Sequence, residues 1–368
     1  MTATSKFRFK NLDSIRTLAF LSTFLAHAFY TKSDAVLNSS AFQFVTRLRD
    51  TFSFGVPVFF VLSGFLISYL MLKEQESNGR FGLKQFYMRR ILRIWPVFFI
   101  VIIFGFIIFP IFRTIILHDP YVESANWPYY ISFLSNFDQM NQSTLPYGVG
   151  LGPTWSVSIE EQFYVFWPLL ILLFKKKSFI IPIALTIIGS ILLTSIFELT
   201  NKHTIFCMTY LATGGAFAYL AFYHQSLVER ITKISGFIFL VAVAALFGLI
   251  YLTTLRYSHI IVIFAIAAVI GYIIIYQCYS ERIELRKIPV LERMGKYTYG
   301  LYLYHVICNF IVHIVLDKIL GFNESVIMSV FIKPLLSLLL SVILSYLSYR
   351  YVESYFLKLK SKFSILQH

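Results

Sequence analysis

What most limits this chain is that it keeps returning to apolar runs about as long as a bilayer is thick. Stretches of near-spanning length fall at 12–30, 53–72, 94–112, 158–174, 178–197, 204–223, 235–253, 259–278, 297–316 and 327–349. A helix needs roughly 17–25 residues to cross the hydrocarbon core, so each run reads as a transmembrane helix. One water-soluble core cannot absorb so much apolar surface: 58% of the residues are hydrophobic, 14% are charged and the mean hydropathy is +0.72. No Pro/Gly/Ser-rich linker or low-complexity tract separates the runs. The expected fold is therefore an all-α integral membrane protein, one polytopic bundle of about ten transmembrane helices over residues 1–368, with no separate soluble domain.

The excess of 32 Lys+Arg over 18 Asp+Glu is not a nucleic-acid signal, because the cations sit in short clusters between apolar runs rather than on one basic face. They report topology instead. Twenty-four cations fall at the two termini and in alternate connections, among them Lys6, Arg8 and Lys10 before the first run, and only seven in the opposite set. By the positive-inside rule both termini are expected in the cytoplasm. Ala26-His27-Ala28 resembles a signal-peptide cleavage site, but Asp13 and Arg16 within the run and the bulky Phe24 and Phe29 beside it argue against cleavage. Cys207, Cys278 and Cys308 lie in or beside apolar runs without metal-ligand spacing, so they read as packing residues, and no metal site is expected.

The one long connection on the outer side, 113–157, is rich in aromatics and Asn: Trp127, Tyr129, Tyr130, Asn136, Asn141 and Tyr147 precede Gly148, Gly150, Gly152 and Pro153. It is either a resting place for an acceptor, since aromatics stack on sugar rings, or an interfacial aromatic belt. Its glycines do not form a phosphate loop, because no Lys-Ser/Thr and no strand accompany them.

Ionisable residues inside a bilayer are costly, and those within the spans are the first functional candidates. Arg16 and His27 are eleven residues apart, about three whole helical turns and roughly 16 Å of rise, so they share one face. A neutral imidazole at 27 is suited to take a proton from a hydroxyl, or is simply hydrogen-bonded in the bundle. Arg90 and Arg93, three apart at the inner end of the third span, could hold the phosphates of a nucleotide-like donor or only set topology. In Thr154-Trp155-Ser156-Val157-Ser158-Ile159-Glu160-Glu161-Gln162-Phe163-Tyr164, Ser158 and Glu161 have capping-box spacing, which leaves Glu160 pointing elsewhere, either into the bundle or as a helix-dipole partner. His305 reads as structural or supporting, and His313 lies two turns on, near the outer surface. Ser63-Gly64 puts small residues into a bulky helix, where close packing is the default. The absence of a Gly-x-Ser-x-Gly elbow, an HExxH or a Walker motif counts against soluble hydrolases, zinc proteases and ATPases.

Taken together, five stretches resemble the membrane-bound acyltransferase 3 family, which acylates bacterial surface polysaccharides and other small or glycosylated acceptors. They are Leu12-Asp13-Ser14-Ile15-Arg16 leading to His27, the run from Gly55 to Ile67, Arg89-Arg90-Ile91-Leu92-Arg93-Ile94-Trp95-Pro96, the Thr154–Tyr164 stretch, and the run from Gly295 to His305. Their order and spacing match along nearly the whole chain, with Asp13-Ser14 a departure from the commoner Asp-Gly. The resemblance implies His27 as the catalytic residue with Arg16, Arg90 and Arg93 around the donor, and it favours Glu160 over Glu161; on that basis Glu160 is expected to assist His27 and Arg89 to join the donor site. Supporting roles are expected for Glu161, Trp155, Ser63, Tyr164 and His305. The implied donor is acetyl-CoA on the cytoplasmic side. The implied acceptor is a sugar, polysaccharide or glycolipid-linked sugar at the cell envelope, with membrane lipid around a multi-pass protein of the bacterial inner membrane. Some members carry a hydrolase-like domain after the membrane part; a sequence stopping at His368 leads to the expectation of none.

Three other readings stay open at this point. A glycolipid transporter or flippase fits a many-helix bundle with buried charge, although no internal repeat or paired broken helices appear. A non-catalytic sensor or assembly partner would use the aromatic outer connection as a binding surface. An enzyme of the same type could transfer succinyl or a longer acyl group.

Overall fold

The computed structural model describes residues 9–52, 54–118, 121, 123–142, 149–174, 178–233, 236–254 and 260–363. Lys6, Arg8, Tyr147, Gly148 and His368 lie outside the described residues. The principal helices are α1 (Leu12–Ala28), α2 (Ser40–Thr51), α3 (Gly55–Asn78), α4 (Leu83–Ile103), α5 (Thr154–Leu172), α6 (Ile180–Phe197), α7 (Thr204–Tyr223), α8 (Gly236–Thr254), α9 (Ile260–Tyr279), α10 (Thr298–His313), α11 (Lys333–Ser348) and α12 (Ser354–Lys360). No strand occurs among the described residues. Among the described residues, eight helical stretches are long and apolar enough to cross a membrane: Gly55–Asn78, Leu83–Ile116, Ile180–Phe197, Thr204–Tyr223, Gly236–Thr253, Ile260–Tyr279, Pro289–Ile319 and Met328–Lys360. The two remaining apolar runs form α1, of 17 residues, and α5, of 19 residues with Glu160 and Glu161 inside it. The chain is a multi-pass, all-helical membrane protein.

The bilayer explains which faces stay bare. Leu185, Ile188, Leu192 and Ile196 of α6 and Phe237, Leu240 and Val241 of α8 are exposed. In water that would be a large sticky surface; in lipid it is the solvent-facing side. The interior is built round α3 and α7, whose backbones meet at glycines. A Cβ on Gly64 would lie 1.8 Å from the Leu211 carbonyl oxygen, and one on Gly214 would lie 2.1 Å from that of Val61. Lipid tails are as apolar as side chains, so this backbone approach, not a hydrophobic drive, holds the helices together. On the other side of α3, a Cβ on Gly55 would lie 2.3 Å from the Ala19 carbonyl oxygen, which seats α1 against it. The Trp167 Nε1–H donates to Ser68 Oγ over 2.9 Å and ties α5 to α3.

Several boundaries differ from those read off hydropathy. α3 runs six residues past its apolar stretch to Asn78, where Gly79 (φ 71°) ends it in the left-handed region open to glycine. α4 begins at Leu83, eleven residues before the apolar run, because backbone hydrogen bonding continues through the charged turns that hydropathy excludes. Within the 113–157 connection the described residues include helices Trp127–Ile131 and Ser135–Asn141, and α5 already starts at Thr154. Cys207, Cys278 and Cys308 are buried free thiols.

Lys333, a cation inside the last apolar run, is 1% exposed and fully accounted for. Its Nζ lies 2.7 Å from Asp317 and 3.3 Å from Glu324. Glu324 also accepts from Thr31 Oγ1 at 2.5 Å and the Ser33 amide at 2.8 Å, so this network ties the chain after α1 to the start of α11. Lys333→Met takes the ammonium from two partly exposed carboxylates that keep other partners, His313 for Asp317 and Thr31 and Ser33 for Glu324, and it is expected to cost about 1–3 kcal/mol, read as a lowered thermal midpoint of the detergent-purified protein.

Candidate active site

His27 sits in the last turn of α1, whose carbonyl at 27 accepts from Asn309 Nδ2 over 3.1 Å. Its ring meets α10 edge to edge. His27 Nδ1 and His305 Nε2 are 2.9 Å apart, with ring centroids at 5.2 Å and planes 23° apart. That combination places the rings nearly coplanar and joined in plane, not stacked face to face. His305 Nδ1 in turn lies 2.6 Å from the Tyr302 carbonyl oxygen, and the Tyr302 hydroxyl lies 2.6 Å from Ser156 Oγ of α5. The His27 ring is thus held by α10, whose Tyr302 is in turn tied to α5.

The other face of His27 is open. It lines a cavity of about 1290 Å³ together with Thr23, Trp155 and Tyr302 and with Gly150, Gly152 and Pro153 from the 113–157 connection. Gln139, Glu198, Asn201 and Lys202 give the same cavity a polar region. The Lys202 ammonium lies 3.2 Å from Gln139 Oε1, and partial burial pulls it below the usual lysine range. A space this large, apolar with a few polar groups, has the character of a ligand site.

Glu160 points into the bundle and not at His27. Its Oε1 accepts from Ser63 Oγ at 2.8 Å and its Oε2 from the Tyr164 hydroxyl at 3.0 Å, so Glu160, Ser63 and Tyr164 form one part-buried triangle between α3 and α5. The described contacts of His27 are to α10 instead. The capping-box reading of Ser158 and Glu161 is overturned. Pro153, with φ −67° preset for a helix, starts α5 a turn earlier, so both residues are interior. Ser158 Oγ pairs with Ser135 Oγ at 2.8 Å, while Glu161 is buried and accepts from Trp95 Nε1 at 3.2 Å.

The arginines gather at the opposite end of α1. Arg16 is paired with Asp13 at 2.8 Å. Arg89 is committed to the protein: it pairs with Glu74 at 2.9 Å and donates to the Phe363 carbonyl at 2.8 Å. Arg90 lies 5.5 Å from the ring centroids of both Phe86 and Tyr164, and its buried Nε has no hydrogen-bond partner among the described residues. An orphaned guanidinium nitrogen of this kind marks where an anion would complete the site. Arg93 acts electrostatically on Arg16 and Glu160, and also on Glu353, which is 7% exposed with Oε1 unpartnered.

Two members of this cluster were not singled out in the sequence. Lys360 of α12 lies in the field of Arg16, Arg89, Arg90 and Arg93. It and Glu353 follow the last apolar run, where charge normally reports topology alone. Only the continuation of the helical stretch to Lys360 turns them inward. An amphipathic reading of 349–360 was the available signal.

A model of the acyltransferase domain of the acyltransferase 3 type matches residues 9–350. A peptidoglycan O-acetyltransferase of Listeria monocytogenes is 35% identical over 129 residues, 33% of this chain and 20% of that protein. A putative O-acetyltransferase of Staphylococcus aureus is 28% identical over 339 residues, 83% of this chain and 52% of its own length. An uncharacterized protein of Haemophilus influenzae is 38% identical over 127 residues, 33% of this chain and 50% of that one. The chain thus spans about half, or less, of the length of these curated relatives. No solved structure matches. With the match running over almost the entire chain, and the arginine pair, the α5 carboxylates and His27 all inside it, the chain belongs to the membrane-bound acyltransferase 3 family.

Proposed function

We propose that this chain is an O-acetyltransferase that moves acetyl from acetyl-CoA to a hydroxyl of a cell-envelope sugar. The observation that carries it is the placement on α1: Arg16, within a cluster of cations at one end, and His27, open to a large cavity at the other. A single helix links an anion-binding region to a base across roughly 16 Å of rise, a span suited to an extended pantetheine arm. The relatives' printed names support the same chemistry.

In this reading Arg90 and Arg93 hold the donor's phosphates, with Arg16 and Lys360 adding positive charge and Arg89 braced by Glu74. Acetyl-CoA supplies an activated thioester carbonyl. His27 takes the proton from the acceptor hydroxyl as its oxygen bonds to that carbonyl; the C–S bond breaks, and the imidazolium returns the proton to the departing thiolate. Glu160, held by Ser63 and Tyr164, offsets the positive charge beside the arginines. The acceptor enters the cavity over Trp155 and the 150–153 segment. A large, mostly apolar cavity favours a sugar carried on a larger glycan or lipid.

Mass spectrometry of surface glycans from cells with and without the gene tests this. Ester-linked acetyl is expected to disappear on deletion and return with the wild-type gene; an unchanged glycan profile overturns the proposal. Donor binding is tested separately. Charge-assisted hydrogen bonds contribute about 1.5–3 kcal/mol, so Arg90→Gln is expected to weaken acetyl-CoA binding about 10- to 100-fold in calorimetry on the purified protein.

A further inference from the structure

We propose that His305 is a positioning residue that holds His27 in the tautomer with its proton on Nδ1, leaving Nε2 as the free basic nitrogen. The inference rests on the function proposed above, and it adds how the base is prepared.

The argument starts from the Tyr302 carbonyl. A carbonyl oxygen only accepts, so His305 Nδ1, 2.6 Å away, must carry a hydrogen and donate it. His305 is 0% exposed, with the rings of Phe20 and Phe24 edge-on at 6.2 and 6.5 Å and no carboxylate within ion-pair distance among the described residues. A second proton would create an uncompensated charge in that apolar pocket, so the ring is neutral and Nε2 is a lone pair. The atom facing that lone pair at 2.9 Å, His27 Nδ1, must therefore be the donor. The near coplanarity of the rings is what such a bond requires.

One tautomer of His27 remains, and its unprotonated nitrogen is Nε2. In serine hydrolases a carboxylate performs this service, and loss of the correct tautomer costs about four orders of magnitude. Here a second imidazole, itself set by a backbone carbonyl, does so without adding charge to the membrane interior. It also accepts from His27 Nδ1–H while the ring is transiently an imidazolium.

The experiment is solid-state NMR of the protein labelled with ¹⁵N-histidine in lipid bilayers, with the His27 signals identified by their loss in His27→Gln. The wild type is expected to show protonated Nδ1 and unprotonated Nε2 at His27. Nitrogen signals of the opposite pattern overturn the proposal without requiring any variant to fold at position 305. His305→Leu is expected to return His27 to the Nε2–H form that a free imidazole prefers; an unchanged spectrum overturns it too. Two amides then separate positioning from packing, read as ester acetyl on surface glycans. His305→Gln can reach His27 with an acceptor oxygen and is expected to keep activity within about 10-fold, while the shorter His305→Asn falls about 100-fold or more. Equal activity of the two overturns the role. If glycans stay unchanged when the gene is deleted, the enzymatic reading fails on its own, and the spectra still decide the tautomer.

Discussion

Alanine in place of His27 is expected to lower acetyl transfer by about 100- to 10,000-fold, the usual worth of a positioned general base, while the protein still folds and still binds its donor. The side chain lines a cavity, so its removal enlarges a space already open and leaves no buried partner group stranded except His305 Nε2. The thermal midpoint is therefore expected to move by only a few degrees. The arginines stand at the far end of α1, so stabilisation of the purified protein by acetyl-CoA should persist. Loss of ester acetyl with retained donor stabilisation is the decisive combination. A His27→Ala protein that restores glycan acetylation to the wild-type level would refute the mechanism.

Gly64→Val is expected to abolish the folded protein. A Cβ at 64 would stand 1.8 Å from the Leu211 carbonyl oxygen and 2.7 Å from its carbon, both backbone atoms that no rotamer change can move aside. α3 and α7 would have to separate, and α3 also positions Ser63 against Glu160. The cost is expected to exceed about 4–5 kcal/mol, enough to remove a protein of ordinary stability. Gly189→Ala on α6 is the control, since nothing lies within 4 Å of a Cβ there. Size-exclusion profiles of fluorescently tagged variants should show a normal peak for Gly189→Ala and none for Gly64→Val; a monodisperse Gly64→Val peak would disprove the packing argument.

Much of the frame was legible because membrane insertion depends on local composition. Each apolar run became a helix, and the face shared by Arg16 and His27 followed from helical rotation alone. The helix ends were less legible. Hydropathy stops at charge, but hydrogen bonding does not, so α3, α4 and the helical stretch ending at Lys360 outrun their apolar cores. The cap assigned to Ser158 failed for a local reason: a serine and a glutamate three apart look the same inside a helix as at its start, and Pro153 settled the matter.

The candidate site divides in the same way. His27 stood out because an ionisable group in lipid is costly wherever it points, Arg90 because of its three-residue spacing to Arg93, and Glu160 because a neighbouring cap did not account for it. Their partners did not. Ser63 and Tyr164 closing on Glu160, Glu74 claiming Arg89, and Asp317 and Glu324 neutralising Lys333 are meetings between different helices.

What the residues determined alone was the one-dimensional layout: which segments enter the bilayer, where charge is buried, and that one helix carries a cation and an imidazole on the same face. What only the folded bundle decided was that imidazole's neighbour. His27 and His305 are 278 residues apart, no periodicity connects them, and their 2.9 Å contact exists because α1 and α10 pack directly on each other, so closely that a Cβ on Gly295, just before α10, would lie 2.4 Å from the Asp13 carbonyl oxygen. Helix formation is a local property of a chain in lipid, whereas the state of a buried base depends on which atom ends up beside it.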